Sequence, residues 1–465
     1  MIKQLLARKN FAKDSSNSKV HLERTLTTKD LIFMGVGVII GSGIFITPGI
    51  IAANNAGPGV VFTYLIAALV CIVVAFCYSE FASAITSSGS VYAYIYTVFG
   101  EFAGWISGWS ILLCYLFAES SIAVSWSAYF QNFLSGFGIK LPDFLRSAYG
   151  ASGNHAGRFD LLAFLIVFLL TVLLLQGMKE SITLNKILVY LKMFIIFLFI
   201  IVALFSFKPQ NLHPLLPYGS SGLGRGASIA FFAYIGFDVL ATASEEVKNP
   251  KRSVPIGIIA SLSITAIIYS LVSFALVGAV KYTQLNVADP VSLALRLIHQ
   301  NWIAGFVAIG AVLGMTTGLL VIIFGGTRLI FAISRDGLLP ERLNNLNKNH
   351  IPFHSTLIFG LTAGLVAGFI PLDKLTELVN IGALLAFAVV CLGVVFLRRN
   401  KQLTGTFKTP GYPYVPIIGF LLCIYLIVNL HVSTMIIFLG LLIVGTIIYF
   451  SYGYRHSEFH SKKDI

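Results

Sequence analysis

Long apolar runs alternate with short polar connections along most of the chain. About 20 consecutive apolar residues form a helix that crosses the hydrocarbon core of a bilayer, and the runs have about that length. We therefore predict an all-α polytopic membrane protein with twelve transmembrane helices, at residues 31–56, 60–85, 101–130, 159–177, 185–207, 226–246, 255–280, 302–332, 355–371, 375–397, 413–430 and 433–453. No connection is longer than residues 131–158, so we expect one transmembrane domain over residues 31–453.

The flanking segments and the loop charges predict the orientation. Residues 1–30 are polar and lack an apolar stretch with a cleavage site, so we expect no removed signal peptide. Basic residues concentrate in this arm and in the even-numbered connections: Lys3, Arg8, Lys9, Lys13, Lys19, Arg24, Lys29, Lys248, Lys251, Arg252, Arg335, Arg342, Lys348, Arg398, Arg399, Lys401 and Lys408. Because positive loops stay in the cytoplasm, we expect the arm 1–30 and the tail 454–465 to lie there, in a plasma (inner) membrane protein.

Composition supports this class and excludes others. The chain is 57% hydrophobic and only 11% charged, which is too little polar surface for a soluble protein of 465 residues. The net charge of +13 is scattered over predicted inside loops, so we expect no nucleic-acid partner. All five cysteines fall within predicted spans, and we expect no disulfide, metal or cofactor: Cys71, Cys77, Cys114, Cys391 and Cys423.

Two predicted spans carry glycine near mid-membrane. The first contains GVGVIIGSGIFITPG and the sixth contains IAFFAYIGFDVLATASEE, about 195 residues later. The copies are offset by five predicted helices, an odd number, so the two halves of the chain would be inverted in the bilayer. We predict repeats at about residues 31–207 and 226–397, followed by two extra helices at 413–453.

Paired breaks of this kind point to a binding site between the halves of a carrier. A half-helix that begins at Ser42 and Gly43 presents N–H groups to a carboxylate, and carbonyls left bare at the break accept an ammonium group. Together they would recognise the common part of an α-amino acid. The alternative is that Gly41 and Gly43 only allow close helix packing.

Three motifs make the family resemblance specific. IIGSGIFITPG with AGPG after it, FFAYIGFDVLATASEEVKNPKRSVPIGI, and RLIFAISRDGLLP resemble, in order and spacing, the amino acid–polyamine–organocation superfamily, and within it the cationic amino-acid transporter branch. The resemblance implies the leucine-transporter fold and alternating access. It implies substrate contacts at Ile40, Gly41, Ser42, Gly43, Phe231, Ala233, Tyr234 and Ile235, with Phe231 as an aromatic gate or, alternatively, as a packing residue.

The third span departs from the cationic branch. That branch usually has a Glu twelve residues before the Trp that aligns with Trp126, and this chain has Cys114 there. Glu119 is rotated by about 140° from Cys114 on a helix and cannot face the same space. We therefore expect small or neutral amino acids to compete at least as well as arginine. Cys114 and Met315 are possible pocket residues, and Glu119, Thr316 and Thr317 are further candidates for the pocket or its gate.

Lys192 is the clearest ionisable residue within a span, where a charge is costly and indicates function. Thr316 and Thr317 of the eighth span reach nearly the same depth. The family resemblance places a lysine in the fold's sodium pocket, between the first, fifth and eighth helices. We therefore predict proton coupling through Lys192; the alternative is a lysine that reaches the headgroups.

Other acidic residues are open to two interpretations. We expect Asp238 to cap the second half of the sixth helix. Glu80, Glu245 and Glu246 approach the cytoplasmic ends of their spans. They either pair with bases such as Arg335 when the inner gate closes or are solvated helix ends.

The remaining function classes lack their motifs. No catalytic Ser/His/Asp or paired-Asp arrangement lies at membrane depth, so we expect no enzyme activity. A channel needs a ring of like charges or a filter of carbonyl groups, and the sequence shows no sign of either. ATP-driven transport needs a Walker motif, which the sequence also lacks. We predict a secondary active, proton-coupled amino-acid transporter; an amino-acid/polyamine exchanger without ion coupling is the alternative, and an ion channel is a weaker one.

Overall fold

The computed structural model describes residues 2–8, 26–85, 90–136, 138–151, 157–176, 182–243, 247–287, 289–347, 351–399 and 405–457. Within these ranges the chain is helical, and its only β structure is three isolated bridges. The main helices are α1 (Thr28–Ile39), α2 (Ser42–Ile51), α3 (Val60–Ala84), α4 (Ser90–Phe99), α5 (Glu101–Gly136), α6 (Leu161–Leu175), α7 (Ile182–Phe205), α8 (Gly219–Ala230), α9 (Val239–Thr242), α10 (Pro250–Ala279), α11 (Pro290–Leu297), α12 (Asn301–Arg335), α13 (Phe353–Phe369), α14 (Leu372–Leu397), α15 (Tyr414–Val428) and α16 (Val432–Ile448).

Each segment predicted from the apolar runs contains a helix in the structure. Among the described residues, 8 helical stretches are long and apolar enough to cross a membrane, and α6, α13 and α15 are shorter apolar helices. Two helices were not predicted: α4 lies in the connection between the second and third runs, and α11 lies between the seventh and eighth. Both helices are much shorter than a membrane span, so a search for long apolar runs does not detect them.

The outer surface is apolar. Large side chains on α7, α10, α15 and α16 are exposed, including Phe194 (59%), Ile267 (63%), Leu421 (57%) and Ile436 (65%). A water-soluble protein rarely exposes a continuous apolar surface of this extent, whereas a lipid-facing surface requires it. The fold is therefore that of a multi-pass membrane protein.

The first run is divided into α1 and α2. Thr27 and Asp30 form a capping box at the start of α1, with the Thr27 N–H donating to Asp30 Oδ2 at 2.9 Å. The helix ends at Ile39, and the chain turns through Ile40 and Gly41 before α2 begins. The break falls at the GSG motif, as the sequence predicts.

The sixth run is divided as well. After α8 the backbone tightens to a 3₁₀ turn at Phe231–Tyr234, extends at Ile235, and turns again before α9. Gly236 has φ of +114°, in the region that favours glycine, and this explains why the turn carries glycine at this position.

Candidate functional site

The two helix breaks lie against each other in the protein interior. A Cβ added to Gly43 would lie 2.5 Å from Ala233 Cα, so the backbones of α2 and the 3₁₀ turn are in direct contact. At Gly41 a Cβ would meet nothing closer than the Val38 carbonyl of α1, 3.6 Å away. Close packing thus explains Gly43, whereas Gly41 has room for an additional methyl group.

The start of α2 is suited to bind a carboxylate. Gly41 stands at the cap position and provides no side chain to bond the first N–H groups, and no side-chain cap is present. The first amides of a helix, from Ser42 onward, have no carbonyl partner within the helix and carry its positive dipole end. A bound carboxylate would supply both the acceptors and the charge that this position favours.

The carbonyls at the end of α1 are not bare, contrary to expectation. Lys192 Nζ donates to the carbonyls of Gly37 at 2.9 Å and Ile40 at 3.2 Å. The Tyr269 hydroxyl lies 2.6 Å from the Ile39 carbonyl and 2.9 Å from that of Ala233, so its one proton is shared between the two breaks. An incoming ammonium group must therefore compete with these donors.

Lys192 lies at the junction of α1, α7 and α12. Its side chain is 2% exposed, and a Cβ at Gly314 of α12 would lie 3.0 Å from Lys192 Cε. The amino group is turned toward the break in the first helix instead of the outer surface, which argues against a lysine that reaches the headgroups. Thr317 and Thr316 bond within α12, to Gly314 O and to Val312 O.

The sixth-helix residues contribute in different ways. Phe231 is fully buried, and its ring packs against Phe387 of α14 with centroids 6.2 Å apart. The Tyr234 hydroxyl donates to the Tyr64 carbonyl at 3.1 Å, so its side chain points to α3. Ile235 is 9% exposed at the turn. Ala233 lies against Gly43, and a Cβ at Gly236 would lie 2.5 Å from Val38 Cγ1, so these two residues place the turn beside the first-helix break.

Cys114 and Glu119 occupy different faces of α5, as their spacing predicts. A Cβ at Gly382 of α14 would lie 3.3 Å from Cys114 Cβ. Glu119 is fully buried, and neither carboxylate oxygen has a hydrogen-bond partner among the described residues. Met315, fully buried on α12, is the other predicted pocket residue.

Asp238 does not cap α9 with its side chain, which corrects the expectation. It stands at the cap position, but the side chain makes no cap hydrogen bond. Instead, Oδ2 accepts the hydroxyl hydrogen bond of Tyr115 at 2.6 Å, which joins α5 to the turn before α9. A buried tyrosine hydroxyl needs an acceptor, and this carboxylate provides one.

Glu80 pairs with Arg398 and not with Arg335. Arg398 Nε and Nη2 donate to its two oxygens at 2.7 and 2.9 Å, and the Thr409 N–H adds a bond at 2.8 Å. The hydrogen bonds that Arg398 donates to Glu80 raise the pKa of Arg398 above its usual value. Arg335 instead lies over the Phe331 ring. Glu245 and Glu246 lie outside the described residues.

The sequence prediction missed three tyrosines beside the breaks. Tyr269 joins both breaks, Tyr129 donates to the Phe45 carbonyl at 2.9 Å, and Tyr64 bonds to Thr47 at 2.5 Å. A tyrosine in the middle of an apolar span is a usable signal, because its hydroxyl must find a partner. Among the described residues, no His, Cys, Asp and Glu cluster forms a metal site, and the five cysteines are unpaired.

Comparisons with known proteins identify the family of the chain. Residues 26–451 match the family model described as amino acid permease. The branched-chain amino acid permease BcaP of Bacillus subtilis (strain 168) is 44% identical over 96% of each chain. The methylthioribose transporter of the same organism is 42% identical over 94% of this chain and 95% of its own. Cationic amino acid transporter 1 of Arabidopsis thaliana is 33% identical over 83% of this chain and 64% of its own.

Proposed function

Because the chain belongs to the amino acid permease family, we propose that it is a secondary active transporter of neutral amino acids. The family and the relatives are transporters and not enzymes. The observation that carries the proposal is the contact between the two helix breaks at Gly43 and Ala233. It brings an uncapped helix start and an irregular turn together inside the protein, and irregular backbone at membrane depth is tolerated only where it is buried in protein or lines a water-filled cavity.

The proposed topology has twelve transmembrane helices with two inverted five-helix repeats. It is supported by the breaks in the first and sixth predicted helices. Gln4 Nε2 donates to Tyr454 O at 2.7 Å and Ser457 Oγ at 2.9 Å, so both described ends of the chain lie on one side. By the distribution of Lys and Arg this side is the cytoplasmic side of a plasma membrane. We propose a single transmembrane domain with two extra helices at its C-terminal end.

Neutral side chains fit the proposed pocket better than cationic ones. Cys114 carries no charge where the cationic branch usually has Glu, and the neighbouring candidates Phe231, Met315 and Ile235 are apolar. Glu119 lies on another face of α5. A relative that is 44% identical is named for branched-chain amino acids, which have apolar side chains. We propose leucine, isoleucine and valine as the substrate class.

Substrate binding would proceed through the breaks. The substrate carboxylate would bind the first amides of α2, and the ammonium group would approach the carbonyls around Ile40 and Ala233. Binding in this position would alter the contact between α1, α2 and the 3₁₀ turn. Rocking of the helices that carry the breaks would then open the site alternately to each side.

We propose that protons drive uptake and that Lys192 carries the proton. The protonated amino group would hold α1 through Gly37 and Ile40, and it would repel sodium from the same oxygens. The neutral amine would hold α1 less strongly and permit the inward opening. Exchange without ion coupling, with Lys192 as a permanent cation, is the alternative, and a channel is a weaker one.

Reconstitution in proteoliposomes tests the proposal. Leucine uptake should rise when the lumen is made alkaline, should not need sodium, and should be competed by isoleucine and valine more strongly than by arginine. A methylthioribose competitor belongs in the panel because a relative with that name is 42% identical. Uptake that only methylthioribose or arginine inhibits would contradict the substrate class, and a substrate-independent current would favour a channel.

A further inference from the structure

A carboxyl group lies alone in the middle of α5. Glu119 is fully buried, and neither of its oxygens has a hydrogen-bond partner among the described residues. A polar group in this position is expensive in a membrane protein, and a side chain with only a packing role would be apolar. The residue therefore requires an explanation that the binding site does not provide.

Neighbouring donors bond elsewhere. Four residues earlier, Tyr115 donates to Asp238, and seven residues later, Trp126 Nε1 donates to Thr316 Oγ1 at 3.0 Å. Ser120 lies within hydrogen-bond distance of its own helix and of the Ala363 carbonyl on α13. These polar side chains link α5 to its neighbours and leave Glu119 without a donor.

The face of α5 that carries Glu119 packs against α12. Tyr115 approaches Gly325 of α12, with its Cε2 3.8 Å from a Cβ built there, and Trp126 bonds to Thr316. At 100° per residue, Glu119 lies within about 40° of both of these residues on the helix surface. Glu119 therefore lies on the face of α5 that packs against α12.

The seam between α5 and α12 is less tightly packed at Gly318 of α12. A Cβ there would meet one atom within 4 Å, Ile122 Cδ1 at 3.8 Å, and Ile122 is one turn from Glu119. One turn before Gly318 on α12, Gly314 contacts the side chain of Lys192. The loosely packed position at Gly318 therefore lies between the levels of Lys192 and Glu119.

Lys192 and Glu119 are arranged in series along the membrane normal. Four residues of α12 and three residues of α5, at a rise of 1.5 Å each, separate their levels by about 10 Å. The step from Gly314 to Gly318 on α12 and the step from Ile122 to Glu119 on α5 run in the same direction across the membrane, because α5 and α12 are antiparallel at these contacts. That direction leads toward Glu101 at the start of α5, whose Oε1 accepts the Tyr449 hydroxyl near the C-terminal end of the described chain.

We infer that Glu119 is a second proton-binding residue, which accepts the proton that Lys192 releases and passes it toward the side of the chain termini. The inference rests on the proposed coupling through Lys192. The transfer converts the lysine ammonium and a glutamate carboxylate to an amine and a carboxylic acid, through water that enters between the two levels. A carboxyl group buried without a partner is stable as the uncharged acid, so Glu119 releases its proton toward the side of the chain termini before it accepts the next one from Lys192.

Other titratable side chains around Glu119 do not contact its carboxyl group within the described ranges. Tyr115 and Asp238 bond to each other, and Arg328 lies over the Phe324 ring. The charged or titratable side chains on or next to the elements packed against α5 include Tyr92, Tyr94, Tyr96, Asp160, Asp238, Arg328, Arg335, Asp336, His354, Asp373, Lys374, Glu377 and Cys391, and Lys192 lies on α7, which packs against α12. Glu119 is thus free of a charge partner that would hold it ionised.

Two substitutions separate proton binding from packing. Glu119→Gln has the size of the acid but binds no proton, and Glu119→Asp retains the acid. Glu101→Gln is the matched control on α5, since both Glu101 oxygens accept tyrosine hydroxyl bonds, from Tyr96 and Tyr449. Each variant is reconstituted, and leucine exchange, pH-driven leucine uptake and the infrared difference band of a protonated carboxyl group on leucine binding are measured.

For Glu119→Gln we expect exchange near that of the wild type, pH-driven uptake reduced on the order of tenfold, and loss of the carboxyl band. Glu119→Asp should retain part of both signals, and Glu101→Gln should retain the band. Wild-type pH-driven uptake with an unchanged band in Glu119→Gln would overturn the inference. If the wild type shows no pH-driven uptake, the proposed coupling fails, and a leucine-dependent band lost in Glu119→Gln would still identify Glu119 as a proton-binding residue.

Discussion

Gly43 and Ala233 are in direct backbone contact at the point where the two broken helices meet. A Cβ at Gly43 would lie 2.5 Å from Ala233 Cα, closer than real Cβ atoms approach, and the obstructing atom is backbone that cannot rotate away. The glycine is required by packing, and any side chain here must separate the helices.

This contact predicts opposite results for two neighbouring glycines. Gly43→Ala should lower the thermal stability in detergent, because overpacking costs about 1–3 kcal/mol. Gly41→Ala should keep the stability, since its Cβ has room, and should weaken leucine binding by projecting into the space beside the break. Scintillation proximity binding and thermal unfolding of both variants provide the comparison. A stable Gly43→Ala protein that binds leucine normally would contradict the contact.

The helices in the twelve apolar runs and both breaks could be predicted from the sequence, whereas α4 and α11 could not. Apolar runs indicate helices because lipid requires the backbone to bond internally, and glycine marks the places where it does not. The partners of Asp238 and Glu80 could not be predicted. Tyr115 and Arg398 are 123 and 318 residues away from them in sequence, and only the packing of the helices decides which candidate is in reach.

The depth of Lys192 was predictable, but its hydrogen bonds were only partly so. The sequence places it at nearly the depth of Thr316 and Thr317, and the structure brings its amino group to the carbonyls of Gly37 and Ile40. The sequence could not show which carbonyls Lys192 bonds, because the last turn of α1 has several carbonyls that point along the helix axis toward the break. Tyr269 takes the carbonyl between them.

Lys192→Ala should abolish leucine uptake driven by a lumen-alkaline pH gradient and leave exchange measurable. The substitution removes the titrating group and both bonds to α1, but it leaves the amides at the start of α2. Lys140→Ala, at an exposed loop position, is the control and should transport as the wild type does. Radiolabelled uptake and counterflow in the same proteoliposomes separate the two activities. Survival of pH-driven uptake in Lys192→Ala would exclude this residue as the proton carrier.

Cys114→Glu should increase competition by arginine. A carboxylate at this position faces the same side of α5 as the glutamate of the cationic branch, and an opposite charge stabilises a guanidinium group. Cys114→Gln introduces a side chain of nearly the same size as Glu without the charge, and it should leave the ratio of arginine to leucine inhibition unchanged. The measurement is the ratio of arginine to leucine inhibition constants in each variant. Equal ratios in Glu and Gln variants would show that this position does not set the charge preference.

The segment around Thr409 closes the end of the helix bundle through Glu80. The carboxylate is held by Arg398 from the end of α14 and by the Thr409 N–H, while Phe407 stacks on Phe76 with centroids 6.4 Å apart. The ion pair is buried on the Glu80 side, with that side chain 6% exposed, so its bonds are little screened by water or salt. It ties α3 to α14 and to the segment that precedes α15.

Removing one partner of this pair should therefore destabilise the protein. Glu80→Gln leaves the guanidinium without its counter-charge, and breaking a buried pair in this way costs about 3–5 kcal/mol. Arg398→Lys keeps the charge but cannot make the bidentate hydrogen bond, so its loss of stability should be smaller than that of Glu80→Gln. Arg146→Lys is the control, because Arg146 pairs with Asp143 at an exposed site where an ion pair contributes little. Thermal unfolding in detergent at low and high salt should rank Glu80→Gln below Arg398→Lys, and both below Arg146→Lys, at either salt concentration. A stability of Glu80→Gln equal to that of the wild type would mean that this end of the bundle is held by the ring and backbone contacts instead.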